Sequence, residues 1–160
     1  MRECMETVNN TLILRPVGPE DRRLYLEMAQ AFYRSPAVLH PIPLSYMEST
    51  YEEMIRSDVY AAGYFMMNQH QECMGYVLLS KTFSQEPGGQ SIWVEELYVL
   101  PRYQGQGVGT QVLKKLQELY PHCRRFRLEV EPDNTRAIAL YQRLGFEELP
   151  YYQMILDAKE

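Results

Sequence analysis

Long apolar runs are missing from this chain, cysteine is scarce, and basic charge is in deficit. No stretch approaches the ~20 apolar residues that a membrane-spanning helix needs. Met1 to Asn10 (MRECMETVNN) also lacks the apolar stretch of a signal peptide, so no membrane partner is expected. The cysteines are Cys4, Cys73 and Cys123, odd in number and widely spaced. They match neither a disulfide framework nor a zinc site, which points to a reducing cytoplasm and to no metal. The net charge of −5 disfavours a nucleic-acid partner. It does not disfavour a phosphate ligand held by backbone dipoles. Repeats, low-complexity tracts and domain-dividing linkers are absent too. What remains is a 160-residue chain, 46% apolar, which reads as one globular domain over 1–160.

Thr11 to Val17 (TLILRPV) reads as a first strand. Gly18-Pro19-Glu20-Asp21 then has the early proline and acids of a helix start, and Leu24, Met28, Ala31 and Phe32 recur at helical spacing. A second helix is expected over Tyr46 to Ser57. Tyr60 to Met67 and Glu72 to Lys81 read as a hairpin across Asn68 to Gln71, and the turn Ser84 to Gln90 leads into a strand over Ile92 to Leu100. Val108, Val112, Leu113, Leu116 and Leu119 mark one helix face, Phe126 to Val130 a strand, and Asn134 to Arg143 a short helix closed by Gly145. Tyr151 to Leu156 is expected to close the sheet. This order implies an α/β fold with a mixed sheet covered by helices and crossovers in its second half.

The most informative stretch joins the strand V-E-E-L-Y-V-L to the helix through P-R-Y-Q-G-Q-G-V-G-T, with Gly105, Gly107 and Gly109 at alternate positions. Glycines let main-chain N–H groups curl round an anion, and the helix dipole adds to the attraction. A P-loop needs Gly-Lys-Ser/Thr after four residues, and no lysine stands there. The dinucleotide pattern G-x-G-x-x-G fails in both registers, at Thr110 and at Val112, and only Glu129, about twenty residues on, favours it. The pattern Q-x-x-G-x-G is met in full by Gln104, Gly107 and Gly109. A tight ligand-free turn would need fewer glycines. Phosphate binding beside a strand that carries two acids points to a cofactor enzyme.

On these residues the chain resembles the GNAT N-acetyltransferase superfamily, whose signature is a strand, then Q/R-x-x-G-x-G/A, then a helix. A second segment is similar as well: Asn134-x-x-Ala137-x-x-Leu140-Tyr141-x-x-x-Gly145-Phe146 looks like the family's other cofactor-facing stretch. The resemblance is specific over about 92–156. It implies a twisted central sheet of about seven strands, splayed after the fourth, with helices on both faces. It implies acetyl-CoA as cofactor, with the diphosphate on the N–H groups of Gln104, Gly105, Gln106, Gly107, Val108, Gly109 and Thr110. Such charge-assisted bonds contribute roughly 1.5–3 kcal/mol each. The pantetheine arm would lie along Leu97, Tyr98 and Val99 and meet Asn134, Ala137 and Tyr141. Relatives dimerise through sheet edges or C-terminal strands, which leaves a homodimer open.

Acetyl transfer needs a neutral amine, and deprotonating an alkyl amine at pH 7 costs roughly 4–5 kcal/mol. Glu95 and Glu96 stand where a base would act. Strand alternation predicts Glu95 on one face with Trp93 and Leu97, and Glu96 on the other with Ile92, Val94 and Tyr98. Both surroundings are apolar, which would raise a carboxylate's pKa. The polyamine acetyltransferases resemble this stretch and use the first acid, which implies Glu95 as base and leaves Glu96 to the substrate. An arginine partner or a structural cap is the plainer reading of either acid. The resemblance further implies Tyr141 as the acid that protonates the leaving thiolate, and the Tyr98 N–H as oxyanion donor. Periodicity alone reads Tyr141 as a core tyrosine, and Asn134 as a helix N-cap. Tyr33, Ser35 and His40 fall where relatives place substrate-shaping loops, with His40 as a backup base. A small-molecule amine acceptor is expected. A peptide or protein N-terminal acetyltransferase and a non-catalytic acyl-CoA-binding module stand as rivals.

Overall fold

The computed structural model describes residues 12–159, so the expectations for Met1 to Thr11, including Cys4, lie outside the described residues. The chain divides after Glu129 into two compact units. The first holds one five-stranded sheet in the order β1-β2-β3-β4-β5. Its strands are β1 (Ile13–Pro16), β2 (Ala61–Met67), β3 (Cys73–Ser84), β4 (Gly89–Val99) and β5 (Arg125–Leu128). The first four pair antiparallel, and β4 with β5 parallel, so the sheet is mixed as expected. A parallel pair needs a crossover, and the helix α3 (Val108–Leu119) supplies it. Among the described residues, the β4–β5 ladder runs only from Ser91 to Val94 on β4, and Glu95 to Val99 have no partner on that side. The sheet parts after its fourth strand.

Helices cover both faces. Helix α1 (Arg22–Tyr33) buries Tyr25, Met28, Ala29 and Phe32, the i, i+3, i+4, i+7 stripe of an amphipathic helix. Helix α2 (Leu44–Arg56) adds Met47 and Tyr51. Both pack with Phe65 of β2 and Tyr76 of β3 in one aromatic core. Tyr25 meets Tyr76 edge-on with centroids 5.8 Å apart, and Phe32 meets Tyr98 at 6.0 Å. Such pairs add about 0.5–1.5 kcal/mol each beyond burial, whereas exposed ion pairs such as Arg23–Glu27 add little. The rings, not the charges, seat α1. On the opposite face α3 buries Val108, Val112, Leu113 and Leu116, and Tyr120 after it bonds the Tyr64 hydroxyl at 2.7 Å. Leu119, expected on the buried face, is 46% exposed.

The second unit, from Val130 onward, holds α4 (Thr135–Arg143). The Gly145 N–H bonds to the Gln142 carbonyl and the Phe146 N–H to that of Tyr141, closing the helix where expected. The expected strand over Tyr151 to Leu156 does not form, and among the described residues there are five strands where about seven were expected. A strand exists through its ladder, and among the described residues this segment makes none. Tyr152 and Leu156 are fully exposed, so β-propensity finds no pleated surface to pack on. Among the described residues no helix is long and apolar enough to cross a membrane.

One glycine ties the sheet to the site. Gly75 lies opposite Val99 with φ +155°, and a Cβ there would stand 1.9 Å from the Tyr98 carbonyl oxygen. Backbone cannot yield as a flexible side chain can. Gly75→Ala is expected to lower unfolding stability by about 2–4 kcal/mol, read as a shifted urea midpoint; an unchanged midpoint refutes this close approach.

Candidate active site

Glu95 and Glu96 lie on one face of β4. Leu79 pairs with Val94 and Leu78 with Glu96, so Glu95 is an extra residue, a β-bulge that breaks the alternation. Below it Ile92, Val94 and Leu97 sit opposite Lys81, Leu79 and Val77. Trp93, Glu96 and Tyr98 sit opposite Ser80, Leu78 and Tyr76. The expected split of the two acids between faces is therefore overturned, as are the groupings of Glu95 with Leu97 and of Glu96 with Ile92 and Val94. Strict alternation holds only in an unbroken ladder.

The two carboxylates meet different surroundings. Glu95 is exposed, and its Oε1 accepts the Ser80 hydroxyl at 2.6 Å. Glu96 is buried at 8% exposure beneath α1, and its Oε1 accepts the Tyr76 hydroxyl at 2.8 Å. The Tyr33 hydroxyl, from the last residue of α1, interacts with it too. Desolvation pushes the Glu96 carboxyl above the ordinary carboxylate range; the Tyr33 and Tyr76 hydroxyls pull it back, and the Glu95 charge adds to the rise. Burial and the same carboxylate drive both tyrosine hydroxyls upward.

Backbone direction on β4 follows from one bond. The Leu100 N–H donates to the Met74 carbonyl, so Leu100–Met74 is a hydrogen-bonded pair. Two residues back, Tyr98 and Tyr76 form the next such pair. The Tyr98 N–H is thereby turned toward β3. Leu97 and Val99 direct their N–H and C=O groups to the unpaired edge, and the Val99 carbonyl accepts the Gln104 side-chain amide there at 2.9 Å. The Tyr98 N–H, expected as an oxyanion donor, is therefore spent on the β3 ladder and does not face the open edge.

Beyond β4 a single 3-10 turn, Pro101–Tyr103, leads to the glycines. Gly105 and Gly107 have φ +75° and +76°, a conformation that costs an L-residue roughly 1–2 kcal/mol. Gly107 is the N-cap of α3, and a Cβ on it would meet nothing within 4 Å, so the space beside it is open. The first intrahelical bond is Gln111 N–H to the Gly107 carbonyl, which leaves the N–H groups of Val108, Gly109 and Thr110 unpaired within the helix. Buried Val108 anchors this end, and the Gln106 side chain stitches the loop to the Arg102 carbonyl at 3.0 Å. Positive-φ glycines, an open space and a helix N-terminus fit a diphosphate. Of the basic residues that flank it in sequence, Arg102 lies over the Tyr103 ring and Lys115 pairs with Glu118, while Arg125 stands opposite Ser91 at the far end of β4 and pairs with Glu86.

The remaining candidates fall out unevenly. The Ser35 hydroxyl donates to the Phe32 carbonyl at 2.6 Å and accepts the Ala37 N–H, so it closes α1. His40 is exposed in the bend between α1 and α2. In the second unit Asn134 caps α4, its side chain accepting the Ala137 N–H at 3.1 Å. Tyr141 packs against Phe146 with centroids 5.8 Å apart, and burial pushes its hydroxyl up, so the proton stays on at neutral pH. Ser80 and Tyr76 went unread in the sequence. Each lies across the sheet from the acids, and nothing local marks a cross-strand partner.

With this geometry in view, a sequence model of the Acetyltransferase (GNAT) family matches residues 24–146. The chain belongs to that family. Thialysine N-epsilon-acetyltransferase of Mus musculus is 43% identical over 63 residues, 38% of this chain and 37% of that protein. The match thus spans under two fifths of that relative's length. Spermine/spermidine N(1)-acetyltransferase of Bacillus subtilis is 31% identical over 113 residues, 65% of this chain and 72% of that protein. Among solved structures, an aminoglycoside N-acetyltransferase in complex with a bisubstrate analog superposes with a TM-score of 0.71. It is 19% identical, with 94% of this chain and 99% of that one covered, and shares the fold.

Glu96 has a stability signature. Its proton is held more tightly in the folded than in the unfolded chain, so its contribution is largest below the ordinary value of 4.5 and is lost as pH rises through the folded value. Glu96→Gln removes that loss while keeping an acceptor for Tyr76. Melting temperatures of variant and wild type should converge near pH 4, and the variant should lie about 2–4 °C higher at pH 7–8. Parallel pH curves would refute the burial of a charged Glu96.

Proposed function

We propose that the protein transfers an acetyl group from acetyl-CoA to a primary amine of a small molecule, by direct attack in a ternary complex. Residues 1–160 would serve as one catalytic domain in a reducing cytoplasm. The observation that carries this reading is the pair of carboxylates on one face of β4, immediately before a glycine cradle built for an anion. The thialysine and spermine/spermidine acetyltransferases among the relatives support an amine acceptor.

When bound, acetyl-CoA supplies an activated acyl group that an amine nitrogen attacks. The N–H groups from Gly105 to Thr110 would hold its diphosphate, the Gln104 N–H expected beside them being spent on the Pro101 carbonyl at 3.2 Å, and the edge groups of Leu97 and Val99 would pair with its pantetheine arm. Glu95, exposed at the open edge, would take the proton from the ammonium group, acting directly or through water. Glu96, buried with Tyr33 and Tyr76, would place a second acid beside the acceptor. Tyr141, whose hydroxyl burial keeps protonated at neutral pH, would be the acid for the departing thiolate, as the family resemblance implies. Asn134 caps the helix that carries it.

Calorimetry with coenzyme A tests the cradle. Wild type should bind, and Gly107→Ala should bind about tenfold more weakly, since the left-handed backbone strains alanine; no heat with wild type refutes the reading. Free-thiol release from acetyl-CoA, measured with an amine panel that includes thialysine and spermidine, tests the chemistry. Glu95→Gln should lower kcat about a hundredfold with coenzyme A binding intact. Tyr141→Phe should lower it about tenfold or more. Turnover of peptide N-termini alone would reassign the acceptor. Binding without turnover of any amine would mark a binding module.

A further inference from the structure

We propose that Ser80 is the positioning residue for Glu95, an inference that rests on Glu95 acting as the base. Glu95 is the extra residue of the β4 bulge, so no ladder partner on β3 stands directly opposite to confine its side chain. An exposed glutamate left to itself samples several rotamers, and a base must stand within hydrogen-bond reach of the proton that it takes. The Ser80 hydroxyl removes that freedom. It donates to Glu95 Oε1 at 2.6 Å, the short length of an O–H···O⁻ bond. Ser80 is itself held on both sides, opposite Ala61 of β2 and Trp93 of β4, so the donor rides on the rigid middle of the sheet. With Oε1 occupied, Oε2 is left to receive the amine proton. Glu96 has separate tethers, Tyr76 and Tyr33, so the Ser80 bond is not part of its support.

Steady-state thiol release from acetyl-CoA, with spermidine and thialysine as acceptor probes, tests this on the full chain. Ser80→Ala should lower kcat about three- to tenfold, leave KM for acetyl-CoA and the melting temperature unchanged, and be rescued by Ser80→Thr. In Glu95→Gln the further change Ser80→Ala should cost nothing, because the tethered base is already gone. Wild-type kcat in Ser80→Ala, or losses that multiply in the double variant, would overturn the proposal while leaving Glu95 as base. Wild-type kcat in Glu95→Gln would overturn the base assignment and the positioning role with it. A carbon-13 spectrum of the labelled Glu95 carboxyl gives a readout independent of turnover. Its resonance should move in Ser80→Ala, and an unmoved resonance overturns the tether.

Discussion

One inserted residue in β4 governs the arrangement of this protein. By opposing Leu78 and Leu79 with three residues, Val94, Glu95 and Glu96, the strand turns both acids to the side that α1 covers. Without the bulge, one acid would face the α3 side, where Val112 and Leu116 are fully buried. A lone carboxylate there would cost several kcal/mol. The same insertion falls where the ladder to β5 ends, so the acids stand at the start of an open backbone edge.

The aromatic layer under α1 gives that bulge its chemical consequence. Tyr25, Phe32, Tyr76 and Tyr98 pack ring against ring, and the polar ends of Tyr76 and Tyr33 meet at Glu96. The core that seats the helix therefore also solvates the buried acid. Adjacent residues thus acquire opposite environments, one dry and hydrogen-bonded to Tyr76, the other exposed and held by the Ser80 hydroxyl. Two neighbouring carboxylates divided in this way are set apart by their surroundings and not by their chemistry.

The glycine loop obeys a different constraint. Its form follows from φ at Gly105 and Gly107 and from the helix that starts at Val108, and little else has to be arranged around it. Gln104 and Gln106 spend their side chains bracing the loop, so main-chain N–H groups are the donors it leaves to offer. A site made of backbone is legible wherever the residues that permit that backbone are written in a row.

That contrast separates what the chain alone determined from what folding added. The loop, helices α1 to α4, the β2–β3 hairpin and the crossover were all readable, because each is set by local spacing, capping or glycine conformation. The facing of Glu95 and Glu96 was not, since a register shift depends on the partner strand and leaves no mark in V-E-E-L. Ser80 and Tyr76 could not be paired with those acids either, being 15 and 20 residues away and joined to them only by the sheet. Tyr151 to Leu156 has the composition of a strand, yet a strand is a relation between two segments, and no ladder forms there among the described residues. Local geometry is a property of neighbours along the chain, whereas register and burial are properties of neighbours across it.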